Sequence, residues 1–258
     1  MHRESKAYIL IIAQRYEGER TMKIRLKRQK TFKGVKAVCF DLFFTLADPH
    51  CELERTESEP LGISPDEWNH ANWSEPLASE RGLGIIKDDL EMIRRACANL
   101  PFPVSDAQIE KVCLAKENRM RIAVTEIRPD ILDTVKKLKE RGYKIGLISN
   151  ADIYDKMHWN ESPLNPYFDD IIFSCDVGLL KPSPEIYQMS LQHLGVNANE
   201  AVFVGDGGRN EHTGAKEQGM HTICVRHLVK WSRKEQKQIR KSADVILDQF
   251  SDLLRYLP

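Results

Sequence analysis

Three short apolar runs, far apart in the chain, each end in side chains that carry chemistry, and this recurrence restricts the fold more than any other feature. Val35-Lys36-Ala37-Val38-Cys39-Phe40 runs into Asp41, Lys144-Ile145-Gly146-Leu147-Ile148 into Ser149-Asn150, and Ala201-Val202-Phe203-Val204-Gly205 into Asp206. Residues 170–174, 221–225 and 245–247 are further β-like runs. Apolar runs this short, alternating with helical segments, mark parallel strands covered on both faces. Pro129 opens one helix, in which Ile131, Leu132, Val135 and Leu138 share a face until Gly142; Pro184 opens another that runs to Leu194-Gly195. Each helix returns the chain for the next strand, so the pattern predicts an α/β fold, a doubly wound parallel sheet. Ligands bind beyond the carboxyl ends of the strands in such sheets, where Asp41, Ser149, Asn150 and Asp206 are expected to meet.

Residues 48–127 lie between the first two strands of that core, too many for one crossover helix. Segment 87–100 has Leu90, Ile93, Ala96 and Cys97 at helical spacing. Segment 105–120 begins with Ser105 as N-cap and Asp106, with Ile109, Val112, Cys113 and Lys116 behind them. An inserted α-helical cap is therefore expected over 48–127. The core is expected in 34–47 and 128–258, and a basic N-terminal extension in 1–33.

These residues resemble the haloacid-dehalogenase-like (HAD) hydrolase superfamily, in its subgroup with a helical cap inserted after the first strand. The likeness covers roughly residues 35–250 and consists of four motifs in the family's order: Asp41-Leu42-Phe43-Phe44-Thr45, Ser149-Asn150, Lys181 beside Pro182, and Gly205-Asp206-Gly207-Gly208-Arg209-Asn210-Glu211. The resemblance implies a Rossmann-like core in which Asp41 is the nucleophile, forming an aspartyl-phosphate. It implies that Thr45 orients Asp41, that Ser149 donates a hydrogen bond to the transferred group, and that Lys181 screens the repulsion between nucleophile and phosphoryl. Ser149-Asn150 also has a simpler reading as a helix N-cap pair. Mg²⁺ is the implied cofactor, held by Asp41, Asp206 and the main-chain carbonyl of Phe43. Glu211, where the family more often has Asp, reaches the metal or orients Lys181; as a plain acid at a helix N-terminus it has a structural reading of equal weight.

Phe43 departs from the pattern. Phosphatases of the family carry a second Asp there, which protonates the leaving oxygen and later activates water, and phenylalanine does neither. Haloacid dehalogenases carry an aromatic residue at this position, but an uncharged residue in place of Asp206. A metal-dependent phosphatase acting on a small phosphorylated metabolite therefore ranks first. A metal-free 2-haloacid dehalogenase and a catalytically weak binding or regulatory protein are the alternatives. In the cap, Trp68, Trp73, Glu80 and Arg81 are candidate substrate contacts, with His158-Trp159 a candidate for the entrance; His212 is expected to be exposed.

Charge adds one constraint. The 258 residues balance 38 basic against 38 acidic groups, yet residues 1–36 alone hold eleven basic and three acidic ones. The basic run over 23–36 lacks an aromatic platform, so nucleic acid is not an expected partner. Residues 8–13 and 22–27 suit a hairpin turning near Glu17-Gly18-Glu19, a flexible tail is the simpler reading, and Met22 is a possible start. The apolar run 8–13 has six residues, against about 20 for a membrane span, and is short for a signal peptide. Six cysteines without a CxxC pair point to a reducing, cytoplasmic setting.

Overall fold

The structure, a computed structural model, describes residues 31–49, 57–229 and 231–258. Strand β1 (Ala37–Phe40) is followed by helices α1 (Pro65–Asn72), α2 (Leu77–Gly82), α3 (Asp89–Ala98) and α4 (Asp106–Thr125). Then come α5 (Pro129–Glu140), β2 (Lys144–Ser149), α6 (Ile153–Met157), β3 (Asp170–Phe173), α7 (Ser174–Val177) and α8 (Pro184–Leu194). The chain closes with β4 (Ala201–Gly205), α9 (Glu211–Glu217), β5 (His221–Val225), α10 (Arg233–Ser242), β6 (Val245–Leu247) and α11 (Leu253–Tyr256). The six strands among the described residues are all parallel, in the order β3-β2-β1-β4-β5-β6, which is the predicted doubly wound sheet.

Alternation along β1 explains why its sequence reads as a continuous apolar run. Val38 and Phe40 point into one cluster with Ile131, Val135 and Leu138 of α5 and with Phe250, Leu253 and Leu257. Ala37 and Cys39 point the other way, against Ile186, Tyr187, Leu191 and Leu194 of α8 and Ala215 of α9. Gly146 lets α8 press onto β2, since a Cβ there would meet Leu194 Cδ1 and Ser190 Oγ at 3.1 Å. Register then places the site. Phe40 lies opposite both Leu147 of β2 and Val204 of β4, so Asp41, Ser149-Asn150 and Asp206 leave the sheet at one edge.

The helices between β1 and α5 build a cluster of their own, in which Trp68, Met92, Ile93, Ala96, Val112 and Met120 pack with Tyr154 from the segment after β2. Ser105 caps α4 as its sequence predicts, in a reciprocal box with Gln108. The helix runs past residue 120 because Ala123 and Val124 continue its buried face. Phe32, numbered with the N-terminal extension, is buried against the His221 ring at 4.9 Å. The hairpin, tail and basic-arm readings of residues 1–30 lie outside the described residues. No helix among the described residues is long and apolar enough to cross a membrane.

A buried ionic tie joins the inserted helices to the segment after β2. Buried Asp152 accepts from Lys116 Nζ of α4 at 3.0 Å and pairs with Arg81 Nε of α2 at 3.2 Å. Its carboxylate also caps α6 by accepting from Asp155 N. Burial works against the Asp152 charge, but Lys116 and Arg81 outweigh it and hold the carboxyl below its ordinary range. Asp152→Ala strands two buried cations and is expected to cost about 3–5 kcal/mol in urea unfolding at neutral pH. Because its folded pKa is depressed, the Asp152 contribution is intact above about pH 3.9 and is lost as pH falls through the lower folded value. Lys139→Ala, which removes the surface pair with Asp169, is expected to cost under about 1 kcal/mol. Equal costs for the two variants would contradict this ranking.

Candidate active site

Four charged side chains meet at the predicted edge. Lys181 Nζ donates to Asp41 Oδ1 at 2.6 Å and to Glu211 Oε2 at 2.8 Å. Thr45 Oγ1 donates to Asp41 Oδ2 at 3.0 Å, which orients the carboxylate from within its own loop. Glu211 Oε1 accepts from Gly207 N, and Asp206 Oδ1 from Gly208 N, each at 2.9 Å. Asp41, Asp206 and Glu211 each offer an oxygen within 4.8 Å of the others.

Local sequence explains this geometry. The turn after Asp41 is tight: Leu46 N and Ala47 N donate to Leu42 O, and Phe44 takes φ 60° although it is not glycine. Phe43 and Phe44 are thereby presented on the cavity wall. Gly207 at φ 99° starts a second tight turn, with Arg209 and Asn210 also left-handed, and it delivers Glu211 as the first residue of α9. Asn150 does not cap a helix; Asp152 does. Asn150 instead brackets the lysine main chain, accepting from Lys181 N at 2.7 Å and donating to Lys181 O at 3.0 Å. Buried Ser149 Oγ has no hydrogen-bond partner among the described residues.

Electrostatics make the cluster incomplete as it stands. Asp41, Asp206, Glu211 and Lys181 are exposed by 8%, 6%, 3% and 4%, so their charges are costly to hold without compensation. Burial opposes the lysine charge, and Asp41 and Glu211 outweigh it, raising its pKa. Burial pushes Asp41 up to about 6, against the pull of Lys181 and with the Glu211 charge adding to it. Burial, then the charges of Glu211 and Asp41, push Asp206 up to about 8. Fully ionised, three carboxylates around one ammonium would carry an excess of two negative charges, the repulsion that raises Asp206. One divalent cation held by hard oxygen donors would neutralise that excess, so the donor set fits Mg²⁺.

The cluster floors a cavity of about 750 Å³ whose walls come from both parts of the chain. Trp68 and Trp73 line it, as the sequence suggests. Glu80 and Arg81 do not: Glu80 pairs with Arg95, and Arg81 is buried on Asn72 and Asp152. His158 pairs with Glu161 and Glu117, and Trp159 packs edge-on against Phe168 and Phe173 in the core. His212, expected to be exposed, is buried. Its Nε2 donates to Ile223 O at 3.0 Å, and burial lowers its pKa to about 4, because α9 turns this side onto β5. Sequence reading missed Lys116, Arg119, Asp155, Arg209 and Trp231 as wall residues. The only local signal among them is Arg209, inside the glycine-rich fourth motif.

The sequence profile of the family described as haloacid dehalogenase-like hydrolase matches residues 35–219. This chain belongs to that family. It is 26% identical over 200 residues to the glyceraldehyde 3-phosphate phosphatase of Methanocaldococcus jannaschii, covering 74% of this chain and 85% of the relative. It is 35% identical over 131 residues to the pyrophosphatase PpaX of Bacillus cereus, covering 49% of this chain and only 57% of that protein. A crystal structure of a dehalogenase superposes with a TM-score of 0.61 at 20% identity, over 86% of this chain and 97% of that one. The HAD phosphatase of Thermococcus onnurineus gives 0.58 at 24% identity, over 86% and 98%. These two likenesses show the fold. Within it, the close approach of the fourth-motif turn to β4 is testable: a Cβ at Gly205 would sit 2.1 Å from Glu211 Oε1. Gly205→Ala is expected to destabilise the protein by about 1–3 kcal/mol in thermal unfolding, and an unchanged midpoint would contradict the placement of Glu211.

Proposed function

We propose that this HAD-family hydrolase is a Mg²⁺-dependent phosphatase that acts on a small phosphorylated molecule through a phosphorylated Asp41. The observation that carries this reading is the cluster itself, three buried carboxylates that each offer an oxygen within 4.8 Å of the others beside a single lysine. A metal-free haloacid site would bring a fourth carboxylate into the same field. The phosphatase names of two relatives support the same choice.

Asp41 is the nucleophile in this reading. A carboxylate attacks phosphorus poorly unless it is held in line and the repulsion is screened; Thr45 supplies the first and Lys181 the second. Asn150 keeps Lys181 in place through its main chain. Ser149 supplies its unpartnered hydroxyl to a phosphoryl oxygen as negative charge builds there. Asp41, Asp206, Glu211 and the main chain of Phe43 hold the cation, which when bound neutralises phosphoryl charge and orients the group for in-line displacement. Glu211 also holds Lys181, accepting from its Nζ at 2.8 Å. The helical segment 48–127 acts as the cap, excluding water from the cavity and shaping it for the substrate.

Phe43 favours a second reading, dehalogenation, because a departing halide needs no proton. The two separate cleanly. The phosphatase reading expects release of phosphate from a generic aryl phosphate with Mg²⁺, loss of turnover on chelation with EDTA, and recovery on adding Mg²⁺ back. Asp41→Asn is expected to lower kcat by about 10⁴-fold or more. Full phosphatase activity after EDTA, or halide release from 2-haloacids without metal, would overturn it.

A further inference from the structure

The segment that follows β5 holds the turn on which the cation site is built. Trp231 stands two residues before α10 and lines the cavity. Its Nε1 donates to the main-chain oxygen of Asp206 at 2.8 Å. Cys224 Sγ, a weak donor, reaches the same oxygen at 3.3 Å. The other end of that peptide unit is also bound, since Gly207 N donates to Glu211 Oε1 at 2.9 Å. A peptide unit is planar, so fixing its C=O fixes the direction of its N–H. Through one peptide, the indole therefore acts on Asp206, whose main chain it holds, and on Glu211, whose carboxylate that peptide grips.

This peptide needs such a hold. It joins Asp206 to Gly207, which sits at φ 99° and has no Cβ to restrict rotation about its own bonds. Turning the peptide over would point a C=O at Glu211 Oε1, acceptor against acceptor, and would loosen the carboxylate that holds Lys181. Helix α10 keeps the indole in place. Ser232 and Glu235 close a reciprocal cap at its first turn, and Gln236 Nε2 donates to Trp231 O at 2.9 Å. Buried Ile239 packs on the turn itself, its Cγ1 lying 2.8 Å from where a Cβ on Gly207 would stand, and Gln238 donates to Asn210 Oδ1. Contacts from 231–239 thus reach Asp206, Gly207 and Asn210, three residues of one turn.

On the Mg²⁺ reading above, we propose that Trp231 is a positioning residue for the cation site. Its indole N–H locks the Asp206–Gly207 peptide in the orientation that sets Asp206 and Glu211 for the cation. The hydrogen bond and the cation favour the same arrangement of the turn, so each strengthens the other by one and the same factor.

Calorimetric titration of the purified 258-residue chain with Mg²⁺ alone tests this. Trp231→Phe keeps an aromatic ring on the wall and removes the N–H. It is expected to raise the Kd for Mg²⁺ by about 3–10-fold, the effect of one lost hydrogen bond. Its kcat on 4-nitrophenyl phosphate is expected to return to within about threefold of wild type once Mg²⁺ is raised to saturate it. Lys237→Ala, on the exposed face of α10, is expected to leave the Kd unchanged. A second measurement uses the wild type and stands alone if Trp231→Phe does not fold. The Trp231 indole proton, assigned by NMR among the four tryptophans, is expected to exchange with solvent about 3–10-fold more slowly once Mg²⁺ is bound. A Kd in Trp231→Phe within about twofold of wild type, or indole exchange that Mg²⁺ leaves unchanged, would overturn the proposal. So would a loss of kcat that saturating Mg²⁺ does not recover, which would assign the ring to the substrate wall alone. A wild-type chain that binds no Mg²⁺ would overturn the metal reading itself, and the proposal with it.

Discussion

The ammonium of Lys181, buried between Asp41 and Glu211, is the contact on which the rest of the site depends. A buried lysine is stable only where opposite charge meets it, and here that charge comes from two elements far apart in the chain. Asp41 reaches it from the end of β1, Glu211 from the start of α9, and Asn150, just past β2, anchors the lysine main chain. Each of these depends on strand register. A slip of one residue in β1 or β4 would turn the apolar residues out of their clusters and remove the carboxylates from the lysine together. Sheet packing and site geometry are thus one constraint.

That coupling explains why so much was legible in the sequence. Strands covered on both faces read as unbroken apolar runs, and the polar residue ending each one falls on a single edge, so Asp41, Ser149-Asn150 and Asp206 could be placed from linear pattern alone. The proline starts of α5 and α8 and the Ser105 cap of α4 are equally local signals. Long-range charge pairs were not legible. The tie of Asp152 to Arg81 and Lys116 joins three segments whose spacing carries no period, so Arg81 looked like a substrate contact and Lys116 like a helix-face residue. His212 was misplaced for a related reason. Its helix, α9, spans only seven residues, too few for the sequence to show which face turns toward β5.

The cavity belongs to both parts of the chain. The core supplies its floor of charge, and the inserted helices supply tryptophans and Met120 above it. Trp73 marks the meeting line, with Arg81 of its own segment 4.4 Å from the ring centroid and Arg209 of the fourth motif 5.7 Å away. Cations over an aromatic face are favourable, so this contact draws the inserted helices toward the charged floor. Phe43, at the junction of floor and wall, is where the chain departs from the phosphatase pattern of its family, and it converts a proton-donating position into apolar surface.

The central claim is that Asp41 carries a phosphoryl group during turnover. Acid quenching of the protein mixed with 4-nitrophenyl phosphate and Mg²⁺, followed by peptide mass spectrometry, tests it most directly. The account predicts that the peptide containing Asp41 gains the mass of one phosphoryl group, and that the gain disappears in Asp41→Asn. Phosphate release with no such adduct at any quench time, or an adduct on another residue, would contradict it.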